Sequence, residues 1–254
     1  MKAVTLVAVR TKSARLPKKA LAEIEGKFLI EHMIDRLKMA KIPESVVVCT
    51  STHPDDKILV DIAKRNRVKW FTGSSDDVLH RFIEAAEATN ADTIIRTTGD
   101  NPLTDPVYID KMIKHHIETG AEYTYVEGLP EGTKPEIISV SALKKCWELA
   151  NNPQYSEYMT LYFKNSGMFK VAKVIADPEV SRPNYRLTVD TPEDLKLMRE
   201  IYKRFYPRKK VFSLREVIKL LDDNPELAKI NAHTKPKEVK MEIIDGKMKI
   251  VECG

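Results

Sequence analysis

Short apolar runs alternate with amphipathic stretches along most of the chain. Residues 2–9 (KAVTLVAV) are rich in β-branched side chains and almost continuously apolar, the pattern of a strand buried on both faces. A polar loop follows, and then Ile30, Met33, Ile34 and Leu37 recur at the spacing of one helical face. Residues 45–50 read as a second buried strand, with a helix beginning at Pro54. Residues 68–71 form a short strand, 77–88 a helix, 92–97 (DTIIRT) a strand and 107–118 a helix. Such alternation predicts an α/β fold, with parallel strands joined by helical crossovers and helices on both sheet faces.

Beyond residue 126 the pattern is less regular. The Gly- and Pro-containing stretch 127–135 (EGLPEGTKP) reads as a loop. Strands are expected at 169–176 and 184–189, and helices at 191–205 and 213–221. The first of these helices carries its own start signal: Thr191 as cap, Pro192 at the first position, and Asp194 to complete an approximate capping box. The tail, 238–251, reads as a hairpin turning at Asp245-Gly246. No internal repeat or low-complexity linker interrupts the chain.

The 254 residues are 43% hydrophobic and 31% charged, a globular composition. Forty-two basic and 37 acidic side chains leave a net charge of +5, which favours an anionic partner: nucleic acid or a nucleoside triphosphate. Cys49, Cys146 and Cys253 fit neither a disulfide framework nor a zinc motif, so a reducing, cytoplasmic location is expected. The first residues lack the layout of a signal peptide, and no apolar run reaches membrane-spanning length. No membrane partner is expected.

Candidate chemistry begins directly after the first strand. Residues 10–19 (RTKSARLPKK) hold five cations and no acid. In open α/β sheets ligands bind beyond the carboxyl ends of the strands, and a cationic loop there suits a polyphosphate. Arg10 and Arg15 can fork onto phosphate oxygens while Lys19 supplies a point charge. A solvated basic loop is the plainer alternative. Neither a Walker-type phosphate loop nor a G-x-G-x-x-G fingerprint is present. Asp100 (TTGDNPL) and Asp190 (RLTVDTPED) each follow an expected strand. Two carboxylates facing a triphosphate make a natural Mg2+ site, because Mg2+ takes hard oxygen ligands and keeps waters. Taken singly, Asp100 also suits a turn and Asp190 a helix start.

These segments carry a resemblance. RTKSARLPKKAL at 10–21, GKFLIEH at 26–32, FTGSSDDVLHRF at 71–82, RTTGDNPLTDP at 96–106 and YRLTVDTPEDL at 185–195 resemble the cytidylyltransferases that make CMP-activated sugar acids. The nearest likeness is to the spore-coat polysaccharide biosynthesis protein F group, beside the 3-deoxy-manno-octulosonate and acylneuraminate enzymes. FSLREVIKLL at 212–221 and NPEL at 224–227 resemble that group's usual tail.

The resemblance implies a GT-A-like (Rossmann-like) nucleotidyltransferase fold with a mostly parallel mixed sheet over residues 1–231, and a C-terminal extension at 232–254. It implies transfer of CMP from CTP, with Mg2+, to a small hydroxylated acidic acceptor and release of pyrophosphate. Arg10, Ser13, Arg15 and Lys19 would hold the phosphates, Asp100 and Asp190 the metal. Gly73, Asp76 and Arg81 would lie near the base or ribose. Catalysis would rest on Arg10, Arg15, Lys19 and Asp100.

This chain departs from the group in three places. Lys18 stands where Gly is common and Ala8 where Gln is common. A frequent His-Val-Thr-Pro-Tyr run is here Tyr158-Met-Thr-Leu-Tyr162. Tyr158 therefore falls in the region expected to line the acceptor pocket, and Glu136 is a second candidate contact to acceptor hydroxyls. Glu136 could equally be an edge-strand charge.

Other residues take plainer roles. His115 and His116 are adjacent in a helix and face apart, as surface or packing residues. His53 and His80 suit surface or capping roles, and Trp70 and Trp147 the core. Tyr155, Tyr158, Met159 and Tyr162 form an apolar-aromatic stripe at helical spacing, the basis for expecting a homodimer. Two other functions fit parts of the pattern. A glycosyltransferase would use the same fold and Mg2+ to hold a nucleotide sugar. A nucleic-acid-binding module would use the basic patch at 203–210, but no RNA- or DNA-reading motif is present, so nucleic acid is not the expected partner.

Overall fold

Continuous β-branched runs can be buried on both faces only inside a sheet covered on both sides, and that is where they lie. The computed structural model describes residues 1–150, 156, 159–234, 239–244 and 247–252. Its first half runs β1 (Ala3–Ala8), the two-residue strands β2 (Glu23–Ile24) and β3 (Lys27–Phe28), α1 (Leu29–Leu37), β4 (Ser45–Ser51), α2 (Lys57–Arg65), β5 (Lys69–Gly73), α3 (Val78–Ala88), β6 (Thr93–Thr98) and α4 (Pro106–Thr119). The second half runs β7 (Tyr123–Glu127), β8 (Glu136–Ser139), α5 (Val140–Ala150), α6 (Met159–Asn165), β9 (Val171–Ile175), α7 (Pro192–Phe205), α8 (Leu214–Asp223), α9 (Pro225–Ala228), β10 (Val239–Ile244) and β11 (Lys247–Glu252).

One seven-stranded sheet has the order β5-β4-β1-β6-β8-β7-β9. β1 pairs in parallel with β4 and β6, and β4 with β5. β8 pairs antiparallel with both β6 and β7, so it alone reverses the sheet, and β7 pairs in parallel with β9. The sheet is thus mixed and mostly parallel. Side chains alternate across it: Val4 and Leu6 pack with α3, α5 and α6, while Ala3 and Val7 pack with α1, α2, α4, α7 and α8. No described helix is long and apolar enough to cross a membrane.

The helix starts are locally encoded. The Asp105 carboxylate accepts from the Val107 and Tyr108 amides ahead of Pro106 at the start of α4. Thr191 and Asp194 form a reciprocal capping box on α7, and Ser213 with Glu216 does the same on α8.

Several expectations change. Residues 184–189 do not form a strand, and Asn184 lies in a turn. Only Arg186 makes a bridge, parallel to Glu131. The segment's backbone is instead bonded to single loop residues: Glu131 N to Tyr185 O at 3.0 Å, Leu187 N to Glu131 O at 2.7 Å, and Val189 N to Asp100 O at 2.9 Å. Gly132 makes this approach possible. Its φ is +85°, and a Cβ there would lie 2.3 Å from Thr188 N, closer than any side chain permits.

Glu136 opens an interior strand, not an edge. Trp70 and Trp147 are 46% and 43% exposed, outside the core: Lys64 lies over the Trp70 ring, and Trp147 donates to Asp77 Oδ2 while packing beside His80. His116 is buried, its Nδ1 2.8 Å from Thr124 Oγ1, and burial depresses its pKa to about 4. His53 caps the turn at Pro54 by accepting from the Asp55 amide. Met159 and Tyr162 are fully buried within the subunit, so neither can form a contact between subunits; Tyr155 and Tyr158 lie outside the described residues. β10 and β11 pair antiparallel as a hairpin requires, while Asp245 and Gly246 lie outside the described residues.

Candidate functional site

From β1 the chain moves outward through β4 and β5, then crosses back to β6 on the other side of β1. The switch point is therefore between β1 and β6, where α/β folds place ligands. The basic loop leaves the carboxyl end of β1 there, and the Gly99–Asp100 turn leaves β6.

Asp56 anchors the loop. It is 2% exposed and accepts from Thr11 N and Thr11 Oγ1, both at 2.7 Å, and from Ser51 Oγ at 2.5 Å. Burial would raise its pKa, but these donors outweigh it and hold the carboxyl below the usual range. Arg10 Nη1 donates to Ser75 O and Arg81 Nη1 to Ser74 O, each at 2.5 Å. Two guanidiniums thus hold the loop that follows β5. Arg81 is buried, its Nε has no partner among the described residues, and burial lowers its pKa.

Lys19 stands at the centre. Its Nζ is 2.5 Å from Asp100 Oδ2 and 2.7 Å from Asp190 Oδ1. The sum of those distances caps the separation of the two carboxylate oxygens at 5.2 Å. Ninety positions apart in sequence, the two aspartates meet because Val189 N bonds to Asp100 O, tying one turn to the other. Arg15 Nη2 lies 3.1 Å from Asp190 Oδ1, and the Thr98 hydroxyl donates to Asp100 Oδ1 at 2.6 Å. Burial alone would lower the Lys19 pKa, yet Asp100 and Asp190 raise it. Burial alone would raise that of Asp190, yet Lys19, Arg15 and Arg186 hold it down.

Arg186 fixes Asp190 from behind. Its Nη2 bonds Asp190 Oδ2 at 2.9 Å, its Nε bonds Asp194 Oδ1 at 2.9 Å, and its Nη1 bonds Glu131 Oε1 at 2.8 Å. Asn231 closes the group by donating to Asp194 Oδ1 and to Arg186 O.

These groups surround a cavity of about 660 Å3, whose lining includes Arg10, Ser13, Arg15, Lys19, Arg81, Asp100 and Asp190. Gly73 and Asp76 are not part of the lining, although a Cβ on Gly73 would lie 3.1 Å from Arg81 Cγ. Glu136 sits one layer back: it pairs with Arg96, which lines the cavity, and accepts from the buried Tyr123 hydroxyl. Tyr158 lies outside the described residues. A larger cleft of about 960 Å3 between α4, β9 and the start of α8 contains none of the residues expected to bind nucleotide, metal or acceptor, so volume alone does not locate the chemistry.

Asp56, Arg96, Thr98, Arg186 and Asp194 belong to the site or its supports without having been marked by sequence. Asp194 read only as part of a capping box. The spacing of Arg186, Asp190 and Asp194, four residues apart each, was the one local sign of that cluster.

Lys18 shows why glycine is common at its position in the resembling group. It takes the left-handed conformation, φ 56° and ψ 27°, while its amide donates to Thr11 O at 3.0 Å. A side chain in that conformation costs about 1 kcal/mol or more, and glycine avoids the cost. Lys18→Gly is therefore expected to keep the loop path and stabilise the protein by about 1 kcal/mol, a rise of roughly 2–4 °C in Tm for a chain of this size. A lowered Tm in a calorimetric scan would refute this account of the bend.

Comparison with known proteins agrees with this fold. A family model described as cytidylyltransferase matches residues 4–220. The chain is 34% identical over 229 residues to the spore coat polysaccharide biosynthesis protein SpsF of Bacillus subtilis, covering 88% of this chain and 95% of that one. It is 32% identical over 241 residues to an uncharacterized protein of Methanocaldococcus jannaschii, covering 94% and 98%. A solved cytidylyltransferase structure from Leptospira borgpetersenii superposes with a TM-score of 0.85 at 30% identity, covering 94% of this chain and all of that one.

Proposed function

The chain belongs to the cytidylyltransferase family, and from that premise we propose that it transfers CMP from CTP to a small hydroxylated acidic acceptor, a sugar acid or a close relative, using Mg2+. The observation that supports this most is the pair of carboxylates, Asp100 and Asp190, brought to one cation position at the edge of a cavity otherwise rich in Arg and Lys.

The residues fit Mg2+. Among the described residues no cluster of three or more His, Cys, Asp or Glu could hold a metal alone. Two carboxylates, waters and substrate phosphates are nevertheless the usual Mg2+ environment. Asp100 and Asp190 would hold the ion, which when bound would draw charge from the α-phosphate and orient the attacking oxygen.

The chain's own groups supply the rest. Arg10, Ser13, Arg15 and Lys19 bind the phosphates. Their charge stabilises the negative charge that grows on the departing pyrophosphate. The acceptor oxygen forms its bond to the α-phosphorus as the bridge to the β-phosphate breaks. Pyrophosphate leaves with the bonding electrons, and the hydroxyl proton passes to solvent. Arg186 and Thr98 keep the two carboxylates in position throughout. The sugar-acid class is supported by the resemblance of the motifs and by the polysaccharide role in the name of the Bacillus relative.

The test is pyrophosphate release with each of the four NTPs and Mg2+ across a panel of sugar acids, neutral sugars and phosphonates. Release is expected only with CTP and an acidic, hydroxylated acceptor. Release of a nucleoside diphosphate from a nucleotide sugar, with no pyrophosphate from any pairing, would overturn the reading.

A further inference from the structure

The Lys19 ammonium stands where a cation shared by Asp100 and Asp190 would stand, 2.5 and 2.7 Å from one oxygen of each. The remaining oxygens are also engaged: Asp100 Oδ1 accepts from Thr98 and Asp190 Oδ2 from Arg186. A divalent ion entering this site must displace a positive charge that is only 16% exposed.

The other cations around Asp190 are not equivalent to Lys19. Arg186 is tied to Asp194 and Glu131 as well and is 6% exposed, so it is part of the frame. Arg15 is 47% exposed and touches Asp190 at 3.1 Å, a contact weakened by solvent. Lys19 pairs with no acid besides Asp100 and Asp190 among the described residues. It also lines the cavity with Arg10 and Arg15, and its flexible four-carbon stem lets the charge move while the backbone stays. A triphosphate in that cavity offers the ammonium a new anion.

We propose that Lys19 couples metal binding to nucleotide binding: it fills the cation position between Asp100 and Asp190 in the free enzyme and yields that position when a triphosphate draws its ammonium away. The inference rests on the cytidylyl-transfer reading, in which the two carboxylates hold the ion. The enzyme then has no strong resident metal site, and the site is completed by the nucleotide. Linkage makes the effect reciprocal, so the metal tightens the nucleotide by the factor with which the nucleotide tightens the metal.

The test is titration of the full chain with Mn2+ in the absence of nucleotide, followed by loss of the free-ion electron paramagnetic resonance signal. Lys19→Gln and Lys19→Met remove the competing charge, and Lys19→Gln keeps a hydrogen-bond donor so that the carboxylates are not left bare. Thermal melts confirm that each variant is folded. Both are expected to bind Mn2+ about tenfold more tightly than the wild type, within the usual range of coupling between two sites. Arg15→Gln is expected to change the affinity less than threefold, in line with a solvent-weakened contact. Loss of the tight site in Lys19→Gln/Asp100→Asn would tie the gain to the carboxylate pair. Wild-type protein that binds Mn2+ without nucleotide as tightly as the folded Lys19 variants would overturn the coupling and leave the transfer reading standing. Absence of Mn2+ binding in every protein, with CTP present as well, would instead overturn the metal reading on which the coupling depends.

Discussion

Asp190→Asn is expected to reduce CTP-dependent pyrophosphate release by about a thousandfold, the loss typical of removing a group that stabilises transition-state charge. It is also expected to destabilise the free protein. Asp190 is bonded by Lys19, Arg15 and Arg186, so neutralising it leaves three cations facing an amide rather than relieving repulsion between two acids. Loss of charged hydrogen bonds of this kind costs about 1.5–3 kcal/mol. The pH dependence follows from the lowered pKa of Asp190. A carboxyl whose folded pKa lies below the ordinary 3.8 contributes stability that is fully present above that value. The contribution disappears as pH falls through the folded pKa. The difference in urea midpoint between wild type and variant should therefore persist from pH 7 down to the ordinary 3.8 and narrow as the pH falls below it. A variant that keeps wild-type turnover within tenfold, or that gains stability at pH 7, contradicts the role assigned to Asp190.

Arg186→Ala is expected to have the largest effect on stability. The guanidinium is 6% exposed and joins Asp190, Asp194 and Glu131. Removing one partner of a buried ion pair typically costs about 3–5 kcal/mol, because the remaining charges stay buried without compensation. Burial would lower the pKa of Arg186, yet its bond to Asp194 and the charges of Glu131, Asp194 and Asp190 raise it above the ordinary arginine value, which is the same attraction seen from the cation's side. Turnover should fall as well, at temperatures where the variant is fully folded, because Asp190 loses the contact that orients it. Arg186→Lys should recover only part of both losses, since one ammonium cannot reproduce a planar fork serving three carboxylates. A urea midpoint within about 1 kcal/mol of wild type for Arg186→Ala would show that the cluster is ornamental to stability.

The aspartates of the site mark the border between what is local and what is not. Asp194 was legible as a capping residue because a capping box needs only Thr191 and the next three positions. Its bond from Arg186 had a local sign in the four-residue spacing, but its bond from Asn231 comes from a partner thirty-seven positions away, and no local pattern announces it. Asp100 and Asp190 were legible as candidates because each follows an extended apolar segment and precedes a turn or helix. Their convergence on Lys19 required the tertiary bond from Val189 N to Asp100 O.

By itself the sequence determined the elements whose causes lie within a few residues. β1, β4 and β6 follow from runs rich in β-branched residues, since such runs are stable only when both faces are covered. The starts of α4, α7 and α8 follow from side chains that bond to amides two or three positions ahead. The combination of motifs also determined the family. The tertiary structure alone decided the reversal of β8 between β6 and β7, because pairing direction depends on which strands become neighbours. It decided that residues 184–189 are held by a loop instead of a strand, because the loop carries a glycine, Gly132, that no side chain can replace at that distance. It decided that Trp70 and Trp147 stay at the surface, since hydrophobicity sets a preference for the interior and only packing assigns the places. Finally, it decided that Lys19 occupies the centre of the acidic pair, because a charge that reads as part of a basic run in one dimension goes, in three, to the nearest buried carboxylates.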